Sequence, residues 1–264
     1  VNTDGGGNLQ FKLLSAIGII IIVSGHCYHG GMELAYNWFP PYSYNLALFV
    51  FISGYFYKTD YEENVGKYIW KRTKRLLIPA YLWNIFYGGM VAFLGLFGFT
   101  IGAKPDLYNL FVMPFVDGEA FQYNLGSWFV YPLFLVCIIN VLFRKFLKLI
   151  HLDNEFIVLI VYLAIGMIGI NTALENPTAI NGIVKLLVRT MFFLPCYEFG
   201  RFYKAVLEKK DNLNNVAYFA IIFAVQLILL TFCKDLEYTP SSFTKFNNGF
   251  IIPYISSITA IAFW

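Results

Sequence analysis

Residues 13–23 read LLSAIGIIIIV, an unbroken run of apolar and small side chains that leads into Ser24, Gly25 and His26. A helix needs about 20 mostly apolar residues to cross a bilayer, and the segment 9–28 around this run has that length. Other segments show the same pattern. The predicted spans are 9–28, 44–57, 76–99, 127–143, 155–171, 182–200, 214–233 and 250–264. The sequence therefore predicts an all-α, polytopic transmembrane helix bundle with about eight visible spans.

The composition excludes an ordinary soluble domain. Apolar residues make up 58% of the chain and charged residues only 13%, whereas soluble domains carry about 25% charged residues. No linker divides the 264 residues, so we predict a single membrane domain over 1–264. Because the last span ends inside an apolar run at Trp264, we expect the domain to continue beyond it.

The basic residues are distributed unevenly between the two sides of the predicted bundle. Lysine and arginine accumulate on the cytoplasmic side of membrane proteins. A cytoplasmic N-terminus places most of the 19 basic residues inside. We therefore predict a multi-pass protein of the cell membrane with the N-terminus in the cytoplasm. The segments predicted to be cytoplasmic are 58–75, 144–153 and 201–213, and those predicted outside are 29–43, 100–126 and 234–249.

His26 is the ionisable residue that follows the first apolar run. Ionisable side chains inside a membrane are expensive and are functional candidates, and histidine can accept and return a proton near neutral pH. The alternative is an interfacial histidine that is hydrogen-bonded to a loop. His29 and Glu33 could join His26 on one helical face as metal ligands, but Gly30 and Gly31 end the helix before Glu33. No metal site is predicted.

The segment 67–79, KYIWKRTKRLLIP, is rich in cations. A juxtamembrane basic cluster commonly anchors a protein to anionic lipid. Arginine also suits the geometry of phosphate, so the same cluster could bind a phosphate-bearing cytosolic ligand. Both interpretations stay open at this point. The candidate ligands are Lys71, Arg72, Lys74 and Arg75.

Several polar residues interrupt the apolar segments. Ser53 and Gly54 follow each other in the short second span, where glycine permits close backbone approach and serine can hydrogen-bond between helices. Trp128 opens the fourth span, where it could also be an interfacial aromatic. Arg189 lies in the sixth span, and Glu198 is nine residues beyond it, which points the two side chains in different directions on a straight helix.

Taken in order, five segments resemble the acyltransferase-3 family of integral membrane O-acyltransferases, and the similarity is closest to the fucose 4-O-acetylase-like branch. Each segment is weakly diagnostic alone, but their order along the chain is that of the family. The segments are Ile19–His26, Leu48–Tyr57, Lys71–Pro79, Ser127–Leu133 and Phe192–Lys204.

The resemblance implies a fold of roughly ten spans and a reaction in which cytosolic acetyl-CoA, or a short acyl-CoA, donates its acyl group to a glycan hydroxyl. It implies that His26 is the catalytic base and that the basic cluster holds coenzyme A. We expect Ser53, Trp128 and Arg189 to line the substrate pocket. Two positions depart from the family pattern, because Ser15 replaces a usual cation and Asn45 and Ala47 stand where many relatives have His-x-Pro.

Three functions compete at the level of sequence. The first is an acyl-CoA-dependent O-acyltransferase whose partners are the donor, a glycan acceptor and the lipid bilayer, without nucleic acid. The second is a transporter, which paired broken helices in corresponding halves would favour. The third is a non-catalytic membrane subunit or sensor with the same fold, which the changes at Ser15, Asn45 and Ala47 would favour.

Overall fold

The computed structural model of the protein describes residues 9–27, 38–99, 101–102, 104–210, 212–243 and 246–264, and for His26 it describes the backbone alone. Most of these residues form helices, and no β-strand occurs among the described residues. The α-helices are α1 (Leu9–Cys27), α2 (Asn45–Tyr55), α3 (Val65–Arg72), α4 (Ile78–Gly95), α5 (Met113–Val116), α6 (Val130–Leu149), α7 (Glu155–Glu175), α8 (Gly182–Phe202), α9 (Asn215–Phe232) and α10 (Ile252–Phe263).

Four helices in the described residues are long and apolar enough to cross a membrane, namely Val65–Gly95, Gln122–Leu149, Glu155–Glu175 and Asn215–Phe232. Three shorter apolar helices, Leu9–Gly25, Asn45–Tyr55 and Ile252–Phe263, lie at the first, second and eighth predicted spans. The sixth predicted span is α8, which carries several charged residues. The all-α fold is therefore confirmed for the described residues, while the number of eight spans stays a prediction.

Two helices extend beyond the predicted spans. A π-helical turn, Thr73–Leu77, joins α3 to α4, so one continuous helix begins at Val65 instead of at residue 76. Helix α6 likewise continues past the predicted end at residue 143 to Leu149. The predicted spans were drawn from apolar content alone, and a helix can continue beyond its membrane-spanning part where its charged side chains find partners or solvent.

Helix α8 lies in the centre of the bundle, packed against α2, α6 and α7. The contact with α2 brings the two backbones together. A Cβ atom added to Gly54 would lie 1.8 Å from the carbonyl oxygen of Tyr197, and one added to Gly200 would lie 1.9 Å from that of Phe51. The expectation that Gly54 permits close helix packing is confirmed.

We expect Gly54→Ala to destabilise the folded protein, because the added methyl group would overlap the backbone of α8. Overpacking costs typically about 1–3 kcal/mol, and this overlap is with backbone that cannot rotate away. Thermal unfolding in detergent would measure the change. Gly89→Ala is the matched control, since its Cβ would meet no non-neighbouring atom within 4 Å and alanine favours a helix. Equal unfolding temperatures for the two variants would contradict the predicted contact.

The bundle has two chemically different ends. At the basic end, which includes segments 56–64, 150–154 and 203–210, Tyr55 Oη donates to Glu208 at 2.6 Å and Lys148 Nζ lies 3.9 Å from Glu62. We call the opposite end the histidine end, because α1 reaches His26 there. It includes segments 38–44, 104–129 and 233–243, and the backbone nitrogen of Tyr238 donates to the backbone carbonyl of Tyr42. The segments predicted to share a side of the membrane therefore gather at the same end.

Candidate functional site

The end of α1 is held against the loop that follows it. Tyr42 Oη donates a hydrogen bond to the carbonyl oxygen of Gly25 at 3.3 Å, and a Cβ atom on Gly25 would lie 2.7 Å from that hydroxyl. His26 is the next residue and its backbone belongs to the same helix. Its side chain, together with His29 and Glu33, lies outside the described residues, so the roles considered for them stay predictions.

A cavity of about 160 Å³ lies at the histidine end, beside this part of α1. We call it the Trp128 cavity. Ile22 belongs to its wall and precedes His26 by four residues, about one helical turn. The wall also contains Asn45, Trp128, Phe129, Tyr238, Thr239 and Ser241. Aromatic surface combined with a few polar groups is typical of a small-molecule site.

Trp128 and Arg189, which the sequence predicted in one pocket, are in direct contact. The guanidinium carbon of Arg189 lies 4.5 Å from the centre of the Trp128 ring, a cation–π arrangement. Arg189 also donates to the backbone carbonyls of Gly118 and Ser241. The structure thus places Arg189 behind the wall of the Trp128 cavity, in contact with two residues that form it.

Ser53 lies apart from Trp128 and Arg189. It follows Asn45 by eight residues on α2, which corresponds to about 12 Å along a helix axis. Among the described residues that line the Trp128 cavity, α2 contributes Asn45, Leu46 and no later position. The predicted role of Ser53 therefore has no geometric support from this cavity.

The four cations of the predicted donor site divide into two orientations. Lys71 and Lys74 are exposed and lie against aromatic rings, with their ammonium nitrogens 5.0 Å from the ring centres of Tyr61 and Trp70 respectively. Arg75 is exposed in the π-helical turn. These three side chains present positive charge at the surface of the basic end, where an anionic ligand can reach them.

Arg72 instead turns towards the interior of the bundle. Its Nε donates to Tyr68 Oη at 3.0 Å, and that hydroxyl lies 3.4 Å from the hydroxyl of Tyr197 on α8. The guanidinium carbon lies 5.1 Å from the Tyr68 ring centre. Arg72 therefore connects the surface cluster to the central helix, a difference within the cluster that sequence spacing did not reveal.

A buried ionic cluster at the basic end was not predicted. Arg144 on α6 is fully buried and donates to both carboxylate oxygens of Glu198 on α8, at 2.7 and 2.8 Å. It also pairs with Asp153 and Glu155, and Arg201 pairs with Glu155 at 2.8 Å. Arg144 begins the segment 144–153 that was predicted to be cytoplasmic, and its side chain lies inside the bundle at the basic end, where the carboxylates compensate its charge.

Glu62 extends this cluster from the connection between α2 and α3. Its carboxylate accepts a hydrogen bond from Tyr57 at 3.2 Å, and Arg201 lies 4.9 Å from the Tyr57 ring centre. Burial raises the pKa of Glu62, and the negative charge of Asp153 raises it further, whereas Arg201 and the Tyr57 hydrogen bond oppose the shift. The carboxylate of Glu198 within a predicted membrane span was the sequence signal for this cluster, but sequence did not identify its partners.

A second cavity of about 330 Å³ lies at the basic end. Its walls are mostly aromatic and aliphatic and include Phe51, Phe199, Tyr203, Tyr218 and Trp264. Lys71, Arg72, Lys74 and Arg75 are absent from the described residues that line it. Apolar walls suit a hydrocarbon group better than a phosphate, so the predicted phosphate ligands and this cavity are separate features.

The chain matches the acyltransferase-3 family, described as an acyltransferase domain, over residues 8–264. The protein belongs to this family, and the predicted membership is confirmed. Its four long apolar helices fit a membrane acyltransferase. Comparisons with curated proteins and with solved structures gave no match.

Proposed function

We propose that the protein is a membrane O-acyltransferase that moves an acetyl or short acyl group from cytosolic acyl-CoA to a hydroxyl of a glycan. The observation that carries the proposal is the Trp128 cavity, because it adjoins the turn of α1 that leads into His26. The five segments resemble the fucose 4-O-acetylase-like branch of the family, and we propose a carbohydrate acceptor on that ground.

The donor would bind at the basic end. Lys71, Lys74 and Arg75 offer exposed positive charge, and coenzyme A carries phosphates that such cations bind well. Arg72 would contact the donor from the inner side of the cluster, where it already bonds to Tyr68. Because His26 is at the other end of α1, the pantetheine arm must extend into the bundle for the acyl group to reach the acceptor.

His26 would act as the general base. The imidazole removes the proton of the acceptor hydroxyl while its oxygen attacks the thioester carbonyl carbon, so that a carbon–oxygen bond forms. The carbon–sulfur bond then breaks, the acylated glycan is released, and the coenzyme A thiolate takes the proton from the imidazolium. Atoms and charge balance without a metal or an oxidant.

The proposed function is tested by acyl transfer from purified protein in lipid nanodiscs. Labelled acetyl-CoA is supplied with a panel of monosaccharides and oligosaccharides, and transfer to sugar is measured together with release of free thiol. We expect acceptor-dependent thiol release. Donor binding without transfer to any acceptor would favour the non-catalytic subunit, and acceptor movement across a sealed bilayer without acylation would favour the transporter.

Arg72→Ala and Arg75→Ala should each weaken coenzyme A binding. A hydrogen bond to a charged group contributes about 1.5–3 kcal/mol, which corresponds to roughly 10- to 150-fold in affinity. Titration calorimetry in nanodiscs of neutral lipid would measure the affinity without competition from anionic headgroups. Lys58→Ala is the control, because Lys58 is an exposed cation at the same end but outside the cluster. Unchanged affinity in both arginine variants would leave the cluster as a lipid anchor.

We also propose that the basic end faces the cytoplasm of the cell membrane, which puts the N-terminus inside. Leu107 is 76% exposed at the histidine end, and Glu63 is exposed at the basic end. In a protein with Cys27→Ser and Cys233→Ser, an impermeant thiol reagent should label Leu107→Cys in intact cells and Glu63→Cys only after permeabilisation. Labelling of Glu63→Cys in intact cells would reverse the orientation.

A further inference from the structure

Arg189 is a buried cation with no ion-pair partner among the described side chains. The residue is 2% exposed, its terminal nitrogens donate only to backbone carbonyls, and its Nε has no hydrogen-bond partner in the described part of the protein. The carboxylate of Glu119, the residue after Gly118, pairs with Lys185. Lys185 lies on α8, one turn before Arg189. These three side chains leave one net positive charge next to the Trp128 cavity.

A buried charge of this kind is costly. Carbonyl dipoles satisfy hydrogen bonds but do not neutralise a charge, and ionisable residues in membrane bundles usually mark a substrate or ion site. Arg144 and Arg201, the other buried arginines among the described residues, both pair with carboxylates. The difference from these two arginines indicates that Arg189 compensates a charge that the ligand brings.

We propose that the Trp128 cavity receives a sugar ring bearing a carboxylate, and that Arg189 determines the preference for this anionic acceptor over a neutral one. This inference rests on the proposed function and adds the class of acceptor to it. The cavity of about 160 Å³ is partly open, so it accommodates one face of such a ring while the rest protrudes, since a closed cavity of about 150 Å³ holds only a molecule of the size of benzene. Asn45 and Thr239 in its wall can bond to the ring hydroxyls.

The expected preference follows from Coulomb attraction. The Arg189 guanidinium lies 4.5 Å from the centre of the Trp128 ring, so a carboxylate on a sugar stacked against that ring would be roughly 8 Å from the charge. At an effective dielectric constant of about 20, the attraction at this distance corresponds to an affinity ratio of about 30-fold. The ratio between matched ligands isolates this effect from the packing of Arg189.

Binding of three probes to the protein in neutral nanodiscs tests the inference without requiring turnover. The probes are methyl glucuronide, methyl glucoside and glucose 6-phosphate, and titration calorimetry gives each affinity. We expect the wild-type protein to bind the glucuronide at least tenfold more tightly than the glucoside. Arg189→Gln should bring that ratio close to one, and Arg189→Lys should keep most of it. Lys185→Gln combined with Glu119→Gln should leave the ratio unchanged, because the two substitutions remove a pair of opposite charges together and keep the net charge at Arg189.

Equal affinity for the glucuronide and the glucoside in wild type, or binding of neither, overturns the inference whether or not any variant folds. A preference that survives Arg189→Gln assigns it to another residue and also overturns it. Tighter binding of glucose 6-phosphate than of the glucuronide would show that the cavity prefers a phosphate to a carboxylate. That result would reject the acceptor named here. Acyl transfer to a neutral sugar would reject this acceptor class while leaving the proposed function intact.

Discussion

His26→Ala should lower acyl transfer by about 10²- to 10⁴-fold, because loss of a general base typically has an effect of that size. The acceptor hydroxyl is a poor nucleophile while protonated, and alanine offers no atom that can accept its proton. His26→Gln should fail equally, since an amide is not a base near neutral pH. Steady-state transfer from labelled acetyl-CoA measures the loss, and unchanged affinity for coenzyme A shows that the donor still binds.

His29→Ala provides the matched control for His26. Both histidines belong to the sequence SGHCYHG at residues 24–30 and are three residues apart. Only His26 occupies the position of the histidine in the family's motif. We therefore expect His29→Ala to retain most activity. Normal turnover by His26→Ala would remove the catalytic role of that residue, and equal losses in both variants would point to a shared structural role for the segment.

Arg144→Met should strongly destabilise the bundle. Removing one partner of a buried ion pair costs about 3–5 kcal/mol, because the remaining charge stays buried without compensation. Here the remaining charges are Glu198, which is fully buried, Asp153, and Glu155, which keeps its bond to Arg201. The unfolding temperature in detergent measures the effect. Lys145→Met is the control, since Lys145 is the adjacent residue on α6 and is exposed.

A second variant separates the loss of charge compensation from a loss of packing. Replacing a whole buried ion pair by apolar residues is often neutral or stabilising, so Arg144→Met combined with Glu198→Met should recover part of the stability that Arg144→Met loses. If the double variant is less stable than the single one, packing of the two side chains outweighs their charges. If Arg144→Met unfolds at the same temperature as Lys145→Met, the buried cluster contributes little.

The helical positions were predictable from sequence because they depend on local chemistry. The run LLSAIGIIIIV and its counterparts are too apolar for a soluble surface, and a backbone in lipid must satisfy its hydrogen bonds internally, which a helix does. The family likewise followed from short segments in a characteristic order. The contact of Gly54 with α8 was predictable in kind, since glycine beside serine in a short span indicates close packing, although its partner was not.

Only the tertiary structure decided how the polar side chains are paired. Lys71, Arg72, Lys74 and Arg75 are neighbours in sequence, yet Arg72 alone turns to Tyr68 and the central helix. Arg144 begins a basic segment that was predicted to be cytoplasmic, and its burial depends on Glu198, which is 54 residues away. Such pairings are long-range, and their energy depends on which helices meet, so no local pattern contains them.

The buried arginines Arg144 and Arg189 show the same division. Sequence alone placed Arg189 in an apolar segment and suggested a polar pocket with Trp128, and the fold brings the two into contact. What the sequence could not determine is which buried arginine finds carboxylates and which finds only carbonyls. That outcome is set by the packing of α6, α7 and α8, because the compensation of a buried charge depends on distances of a few ångströms between separate segments of the chain.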